Sequence, residues 1–227
     1  RDLKTNQLQT HILAGNYTLR DAHNVISLGV DADGYLHMVY DLHGQRLNYR
    51  RSLEPGAIDQ WTDEIPMTGQ RESSLTYPQF LMPTRNGQPG PLLFLARQGG
   101  SGNGDAELKI YDTATRTWSD IGTIARGSGQ NPWTSNPYWN HPALGPDGSI
   151  HLTFTWRTHS LPGNRINNIN IDHMVSDDFG HTWHTKVGHE LRIPVTQVNS
   201  ETIRAISPGT NLINQTSSAL DSQGRLH

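Results

Sequence analysis

Histidine, tyrosine and arginine residues recur along this chain in pairs with an almost constant separation. The separations are 20, 20 and 19 residues, and the pairs are His23 with His43, Tyr77 with Arg97, and Tyr138 with Arg157. Imidazole and phenol groups donate and accept protons, whereas a guanidinium group is a permanent cation that matches carboxylate geometry. The set has the chemistry to hold an acidic substrate and to move protons on it, provided that the fold brings the pairs together.

The segment between the members of each pair predicts a β-hairpin. Residues 23–43 read HNVISLGVDADGYLHMVYDLH, with strands over 24–30 and 35–40 around an Asp-Gly turn. The turn text returns as PDGSIHL in the third copy and as DSQGRLH near the end of the chain, and the second copy turns at Asn86-Gly87. Asp-Gly and Asn-Gly between β-rich runs are the strongest short-range hairpin signals.

Further strands complete each hairpin to a unit of four. The remaining predicted strands span 45–51, 77–82, 91–96, 108–111, 141–144, 149–156, 169–175 and 217–220. Trp61, Trp118 and Trp183 mark the fourth strands and lie 57 and 65 residues apart. Such units predict an all-β fold, a β-propeller of four-stranded antiparallel blades, with a β-sandwich as the alternative.

The repeat also predicts the domain organisation. Residues 1–227 are expected to form a single β-propeller domain with three blades and the start of another. Because propellers close with about 4–8 blades, we expect the domain to be incomplete at the C-terminus of this chain.

The hairpin ends predict the position of the site. The start of the first strand and the end of the second lie side by side, and the inner strands of a propeller surround its channel. The paired residues then share one mouth of the channel, with Asn24, His141 and Asn214 near the strand starts. His37, inside a strand, is predicted to be structural.

This predicted mouth contains no evident pair of carboxyl groups, which glycoside hydrolysis normally requires. β-Elimination from a uronic acid has the matching demands. A base removes the proton alpha to the carboxylate, a cation neutralises the spreading charge, and an acid protonates the leaving oxygen.

Composition excludes several other classes of function. Apolar residues make up 33% of the chain, with 22 glycines and 13 prolines, which suits short strands joined by turns. The net charge of −3 and the scattered basic residues predict no nucleic-acid partner. Cysteine is absent, which excludes thiol catalysis, and no apolar run is long enough to predict a membrane span.

One polar segment is interpreted as structural. Residues 176–183 read S-x-D-x-G-x-T-W, which resembles the Asp-box, or BNR repeat, of sialidase-like propellers. The segment DTATRTW at 112–118 is a degraded copy. The resemblance implies that the Asp and Ser hold a turn while the Trp packs between blades.

Several segments resemble, in order, the BNR-repeat polysaccharide lyases, above all the seven-bladed β-propeller ulvan lyases. These segments are His23-Asn24, LNYRRS, TYPQF, LLFLARQGGSGNGDAELKIYD, YWNHPALGPDGSIHLTFTWR and SDDFGHTW. The resemblance implies seven blades in the complete fold. It also implies cleavage of ulvan, a sulfated polysaccharide that contains uronic acid, by β-elimination that leaves an unsaturated uronic acid end.

The resemblance also implies roles at the matching positions. His23, His43, Tyr77 and Arg97 are the expected catalytic set, with His23 as base and Tyr77 as acid, roles that exchange for the opposite sugar epimer. Arg97, helped by His43, is expected to neutralise the uronate. The expected substrate-binding residues are Tyr138, Arg157, His141 and Asn24. The segment RQGGSGNG at 97–104 is either a loop that lets the sugar approach or an outer turn.

The remaining expectations concern cofactors, partners and location. No cofactor is expected to be required for catalysis. Some relatives carry a metal held partly by a thiol, and here His159 and Asp172 stand near that place, so a structural metal ion is possible but not supported. The expected partner is an acidic polysaccharide, with no nucleic acid and no membrane, and the expected state is a monomer. The polymeric substrate implies a secreted or periplasmic protein.

Three alternatives stay open at this point. The first is a sialidase-like hydrolase, prompted by the Asp-box and by Arg192-Ile193-Pro194. The second is a non-catalytic propeller that binds acidic glycans with the same residues. The third is a lyase for another glucuronate polymer, such as a rhamnose–glucuronate gum.

Overall fold

A computed structural model describes residues 3–13, 20–127, 135–158, 167–213 and 217–227. The α-helix is absent from these ranges, where 15 strands form antiparallel sheets, and no segment of them is a helix suited to crossing a membrane. The strands are β1 (Ser27–Val30), β2 (Leu36–Val39), β3 (His43–Gln45), β4 (Tyr49–Arg51), β5 (Leu75–Leu81), β6 (Thr84–Arg85), β7 (Gln88–Pro89), β8 (Leu93–Gly100), β9 (Asn103–Asp112), β10 (Thr117–Ala125), β11 (Ser135–Trp139), β12 (Ala143–Leu144), β13 (Ile150–Thr158), β14 (Asn167–Ser176) and β15 (Glu201–Arg204).

The first sheet has the order β1-β2-β4 and contains the predicted hairpin. Asp31 holds its turn, because its carboxylate accepts hydrogen bonds from the backbone N–H groups of Asp33 and Tyr35 at 3.0 and 2.9 Å. A single bridge between Ser52 and Trp61 extends the sheet where the fourth strand was predicted. His37 is fully buried and hydrogen-bonds Tyr49 at 2.8 Å, which confirms its structural role.

The second sheet is the predicted four-stranded meander, β5-β8-β9-β10, with β3 added at its inner edge. The prediction that residues 45–51 form one strand of the first blade is wrong at its start. Asp41 and Gly44 have φ angles of 59° and 90°, which turn the chain out of the first sheet. Strand β3 then pairs with β5, so that His43 lies opposite Thr76, which in turn lies opposite Arg97.

The third sheet has the order β11-β13-β14-β15, and β12 also pairs with β13. Its predicted first strand, 141–144, is therefore split, and Tyr138 lies within β11 rather than before a strand. The fourth strand is Glu201–Arg204 and not the segment around Trp183. That segment makes only isolated bridges, from His184 to Val175 and from His184 to Glu190.

Both predicted Asp-boxes are turns. In the complete box, the Ser176 hydroxyl donates to Asp178 at 2.9 Å and accepts from the Gly180 N–H at 2.7 Å. Asp178 also accepts from the N–H and the hydroxyl of Thr182. In the degraded copy, Asp112 accepts two backbone N–H groups. These contacts confirm the structural interpretation of the motif.

The core lies between the sheets. One apolar cluster joins the first and second sheets and includes Tyr49, Phe94 and Trp118, while another joins the second and third and includes Leu108 and Trp183. Successive antiparallel sheets that share apolar layers are the arrangement predicted for consecutive propeller blades. A short hairpin around the bridge from Leu220 to Leu226 begins the next copy.

Candidate active site

The structure brings the three predicted residue pairs into one cluster. The rings of His23 and His43 stack with their centroids 4.4 Å apart. The Tyr77 ring lies 6.5 Å from His23 and 6.4 Å from His43, and 6.0 Å from the ring of Tyr138. The cluster spans the ends of all three sheets, as the hairpin geometry predicts.

Asp21 joins the two histidines and was missed by the sequence reasoning. One carboxylate oxygen accepts from Nδ1 of His23 at 2.8 Å, and the other contacts Nδ1 of His43. The first oxygen also accepts the backbone N–H of His23 at 2.8 Å. The N–H and Nδ1 groups of His23, followed by the His43 ring, hold the pKa of Asp21 well below its usual range. The available signal was an Asp two residues before a candidate His, the spacing of an Asx-turn.

Tyr77 has a backbone conformation that bulky residues rarely adopt. Its φ angle is 55°, and the pairing of β5 with β8 is irregular between Thr76 and Gln79. Residues held in such conformations concentrate at functional sites, where the surrounding structure holds them in place. Burial raises the pKa of Tyr77, although the charges of Arg97 and Arg157 act in the opposite direction. The phenol therefore keeps its proton at neutral pH.

Arg97 is a buried cation. It is only 4% exposed, and its guanidinium carbon lies 5.0 Å from the Tyr77 centroid and 5.6 Å from that of Tyr138. One terminal N–H group donates to the Tyr138 hydroxyl at 3.0 Å, but the buried Nε has no hydrogen-bond partner among the described residues. Among the described residues, Arg97 forms no ion pair, whereas Arg50, Arg71, Arg126 and Arg225 each pair with a carboxylate.

The glycine-rich segment is the turn between β8 and β9 and makes room for Arg97. Gly99 lies opposite Gly104 in the ladder, and Gly100 lies opposite Asn103. A Cβ atom at Gly104 would lie 2.6 Å from Cδ of Arg97, a distance that side chains do not tolerate. The glycine therefore accommodates the arginine stem, and the predicted role in approach of the sugar stays a prediction.

Tyr138, Arg157 and Ser101 form the adjoining side of the cluster. Arg157 lies over the Tyr138 ring at 3.9 Å and donates to its hydroxyl at 2.6 Å. The same terminal nitrogen of Arg157 also donates to Ser101 Oγ at 2.9 Å, and Tyr138 donates to Ser101 at 3.0 Å. Burial lowers the pKa of Arg157. Ser101 was not predicted, since a serine in a glycine-rich turn carries no distinctive signal.

None of the hydrogen bonds described for Asn24 and His141 joins either residue to this cluster. The Asn24 amide donates to Asp41 at 2.6 Å and accepts from the Leu42 N–H at 3.2 Å, so it braces the segment before His43. His141 is exposed and donates from Nδ1 to the Pro142 carbonyl at 3.1 Å. Their expected contact with substrate stays a prediction. Asn214 lies outside the described residues.

The structure gives Asp172 a packing role. Its buried carboxylate accepts from Trp156 Nε1 at 2.5 Å, from Thr202 at 2.8 Å and from the Ser200 hydroxyl. These bonds tie β13, β14 and β15 together, and His159 lies outside the described residues. Within the described ranges, the set of side chains with the spacing to hold a metal ion is Asp21, His23 and His43, whose ligand atoms lie within 4.8 Å of one another.

Comparison with known proteins matches the whole chain to one family model and most of the chain to several solved structures. The sequence model described as a BNR repeat-containing family member matches residues 1–227. A curated relative, "Ulvan lyase, long isoform" from Glaciecola sp. (strain KUL10), is 28% identical over 246 residues, which are 88% of this chain and 24% of that protein.

The similar solved structures support the fold. A polysaccharide lyase of family PL25, an ulvan lyase, superposes with a TM-score of 0.71 at 18% identity and covers 91% of this chain. A structure of a PL25 ulvan lyase bound to -[GlcA(1-4)Rha3S]- superposes with a TM-score of 0.69 at 17% identity and covers 91% of this chain. The polysaccharide lyase Uly1 gives 0.65 at 22% identity over 81% of this chain. The chain spans 50%, 50% and 46% of those structures, about half their length.

Proposed function

This chain belongs to the BNR repeat-containing family, and we propose that it carries the catalytic site of a polysaccharide lyase that cleaves ulvan by β-elimination. One observation carries the proposal. Two histidines, a protonated tyrosine and a buried arginine without an ion pair among the described residues converge at one end of adjacent sheets. The name of the curated relative supports the lyase class and the ulvan substrate.

In the proposed reaction, His23 is the base. With Nδ1 donating to Asp21, the neutral ring presents the Nε2 lone pair, and its side chain is 57% exposed at the mouth. Nε2 takes the proton from the uronate carbon alpha to the carboxylate. The electron pair forms a double bond to the neighbouring carbon and expels the glycosidic oxygen, so that no water is consumed.

Tyr77 is the proposed acid. The leaving oxygen needs a proton as the bond to carbon breaks, and the raised pKa keeps that proton on the Tyr77 hydroxyl until then. The positions of His23 and Tyr77 on one face, 6.5 Å apart between ring centroids, leave room for a sugar ring that touches both. For the opposite epimer the two roles exchange.

Arg97 is the proposed partner of the uronate carboxylate. The negative charge that develops during proton removal spreads into that carboxylate, and a guanidinium in a water-poor site stabilises it more than it would in water. When His43 carries a proton on Nε2, it is proposed to donate a second hydrogen bond to the same carboxylate. Tyr138 and Arg157 extend the cationic side of the mouth and are proposed to bind the polymer, together with Asn24 and His141.

The number of carboxylate groups in the cluster favours elimination over hydrolysis. Among the described residues the cluster holds one carboxylate, Asp21, and both of its oxygens are occupied by histidine. Hydrolysis of a glycosidic bond normally needs two carboxyl groups on either side of the bond. Sialidases are an exception because their nucleophile is a tyrosine that works with a glutamate, and the hydrogen bonds described for Tyr77 and Tyr138 include no glutamate partner.

The finer parts of the proposal follow from the substrate. An ulvan lyase acts on a polymer too large to enter a cell intact, so we propose that the protein works outside the cytoplasm. We further propose that the reaction needs no cofactor, because the residues of the cluster supply a base, an acid and a cation.

Ulvan incubated with the full-length protein should give an increase in ultraviolet absorbance from the conjugated unsaturated uronate. His23→Ala and Tyr77→Phe should each lower the rate by about 10²–10⁴-fold, the usual contribution of a positioned proton-transfer group. The exposed His189 and the interblade Tyr35 supply matched controls, and His189→Ala and Tyr35→Phe should keep the wild-type rate.

Saturated products would show a hydrolase, and binding of ulvan without products would show a glycan-binding propeller. Product from a rhamnose–glucuronate gum but not from ulvan would assign the lyase to that polymer. A wild-type rate in either catalytic variant would remove that residue from its role.

A further inference from the structure

One carboxylate serves two imidazoles in this site. Asp21 accepts from Nδ1 of His23 with one oxygen and contacts Nδ1 of His43 with the other, while the two rings stack 20° from parallel. The carboxylate itself is fixed, because its first oxygen also accepts the backbone N–H of His23. An acceptor-only group between two ring nitrogens requires a proton on both of those nitrogens.

We propose that Asp21 is a positioning residue that holds both His23 and His43 with the proton on Nδ1, so that both Nε2 atoms face the mouth. The proposal deepens the lyase function and rests on it for its catalytic consequence. It goes beyond the roles of the two histidines, because it makes their protonation pattern depend on a third side chain that does not reach the substrate.

The consequence for proton removal is direct. A neutral histidine acts as base only at the nitrogen without a proton, and the partner of the other nitrogen decides which one that is. When His23 takes the substrate proton, the resulting imidazolium stays paired with the Asp21 carboxylate 2.8 Å away. The same carboxylate also stabilises the positive charge of His43 when that ring carries a second proton, on Nε2, facing the uronate. One negative charge therefore stabilises both rings.

The two oxygens of Asp21 make Asp21→Asn unusually informative. The amide oxygen of asparagine can still accept both bonds from His23, whereas its NH₂ group would face Nδ1 of His43 and donate to it. His43 must then carry its proton on Nε2, while His23 keeps its pattern. Asp21→Ala removes the carboxylate that accepts from Nδ1 of both histidines, and with it the turn bond from the His23 N–H.

The tautomers can be measured without substrate by ¹⁵N NMR of the full-length protein labelled at histidine. Wild type should show Nδ1–H signals for His23 and His43, assigned with His23→Gln and His43→Gln, and Asp21→Asn should move only the His43 pattern to Nε2–H. Asp221 is the matched control, since it also accepts the N–H two residues ahead and contacts a histidine, His227. Asp221→Asn should leave both site histidines unchanged.

Activity on ulvan provides the second readout. Asp21→Asn should lower kcat by about 10–10²-fold with little change in KM, because His23 keeps its tautomer but the imidazolium formed on proton removal loses its charged acceptor. Asp21→Glu should recover part of the loss because it restores a carboxylate.

The outcomes separate this inference from the proposed function. Nε2–H signals for both histidines in wild type, or unchanged signals in Asp21→Asn, would overturn the positioning role whatever the substrate. The predicted signals without any unsaturated product would leave the positioning role in place and remove the lyase proposal. If a chelator shifts both wild-type Nδ1 signals and Zn²⁺ alone restores them, the three residues form a metal site and the inference falls.

Discussion

Replacing Arg97 by methionine should abolish lyase activity and yet make the protein more stable. Arg97 is 4% exposed, and its Nε has no hydrogen-bond partner in the part of the chain that the structure describes. Burying a charge costs several kcal/mol unless an opposite charge compensates it. Methionine has a similar length and removes that cost, since it carries no polar group that needs a partner.

The expected gain follows from the contacts of the side chain. Against a desolvation cost of about 5 kcal/mol, the arginine recovers about 2 kcal/mol from the hydrogen bond that its charged group donates to Tyr138. Stacking on Tyr77 and Tyr138 adds about 1–2 kcal/mol in total. The variant should therefore gain about 1–2 kcal/mol, which raises Tm by about 2–8 °C for a chain of this size.

The loss of activity is worked from the carboxylate contact. A hydrogen bond to a charged group contributes about 1.5–3 kcal/mol. Two such bonds from a guanidinium to the uronate correspond to a fall in kcat/KM of about 10²–10⁴-fold. Tm by calorimetry and unsaturated product from ulvan are measured on the same preparation, so that unfolding cannot be mistaken for a catalytic defect.

Arg51 provides the matched control. Its Nε is also buried and has no partner within the described ranges, and its terminal nitrogen donates to the Tyr111 hydroxyl at 2.7 Å. Arg51 lies between the first and second sheets and away from the site. Arg51→Met should keep wild-type activity. A fall in Tm for Arg97→Met would show that Arg97 anchors the fold. Activity within about threefold of wild type would remove it from substrate binding.

Burial lowers the pKa of His37 to about 4 from an ordinary 6.5, so the free energy of unfolding should fall by about 3 kcal/mol as pH drops from 6.5 to 4. Urea titrations across that range test this, and a pH dependence in His37→Gln as steep as that of the wild type would contradict it. Gly180→Ala should destabilise the protein by about 2–4 kcal/mol, because its φ is 95° and a Cβ would lie 2.3 Å from Leu108; unchanged thermal unfolding would contradict the tight turn. His141→Ala should raise KM for ulvan and leave kcat unchanged, because His141 is proposed only to bind the polymer. Asn24→Ala should raise KM and also lower kcat, because Asn24 braces the segment before His43 as well. Steady-state kinetics test both variants, and a change in KM alone for Asn24→Ala would contradict its bracing role.

Local patterns were sufficient for much of this fold. Hairpin turns depend on a few adjacent residues, so the Asp31 turn and the Asp-box around Asp178 were predictable from the chain alone. Pairing across a hairpin follows from the turn, and the constant spacing of the histidine, tyrosine and arginine pairs then predicted that their ends would meet. The structure confirms this meeting.

Strand partners between repeats were less predictable. Strand β3 follows the first hairpin in sequence but pairs with β5, because two residues with positive φ redirect the chain at Asp41 and Gly44. The fourth strand of the third sheet likewise comes after a long excursion that begins at the Asp-box. Periodicity identifies a strand and the face it buries, but it carries no information about which of several sheet edges is free to receive it.

By itself, the sequence determined the β-hairpin repeat, the Asp-box turns and six side chains with the right chemistry at matching positions. The tertiary structure decided what those side chains can do. It placed Asp21 between His23 and His43, forced Tyr77 into a left-handed conformation, and buried Arg97 against a glycine that leaves room for its stem. Apart from the local bonds between Asp21 and His23, these features arise from contacts between segments distant in sequence and from close packing, which neither residue type nor spacing encodes locally.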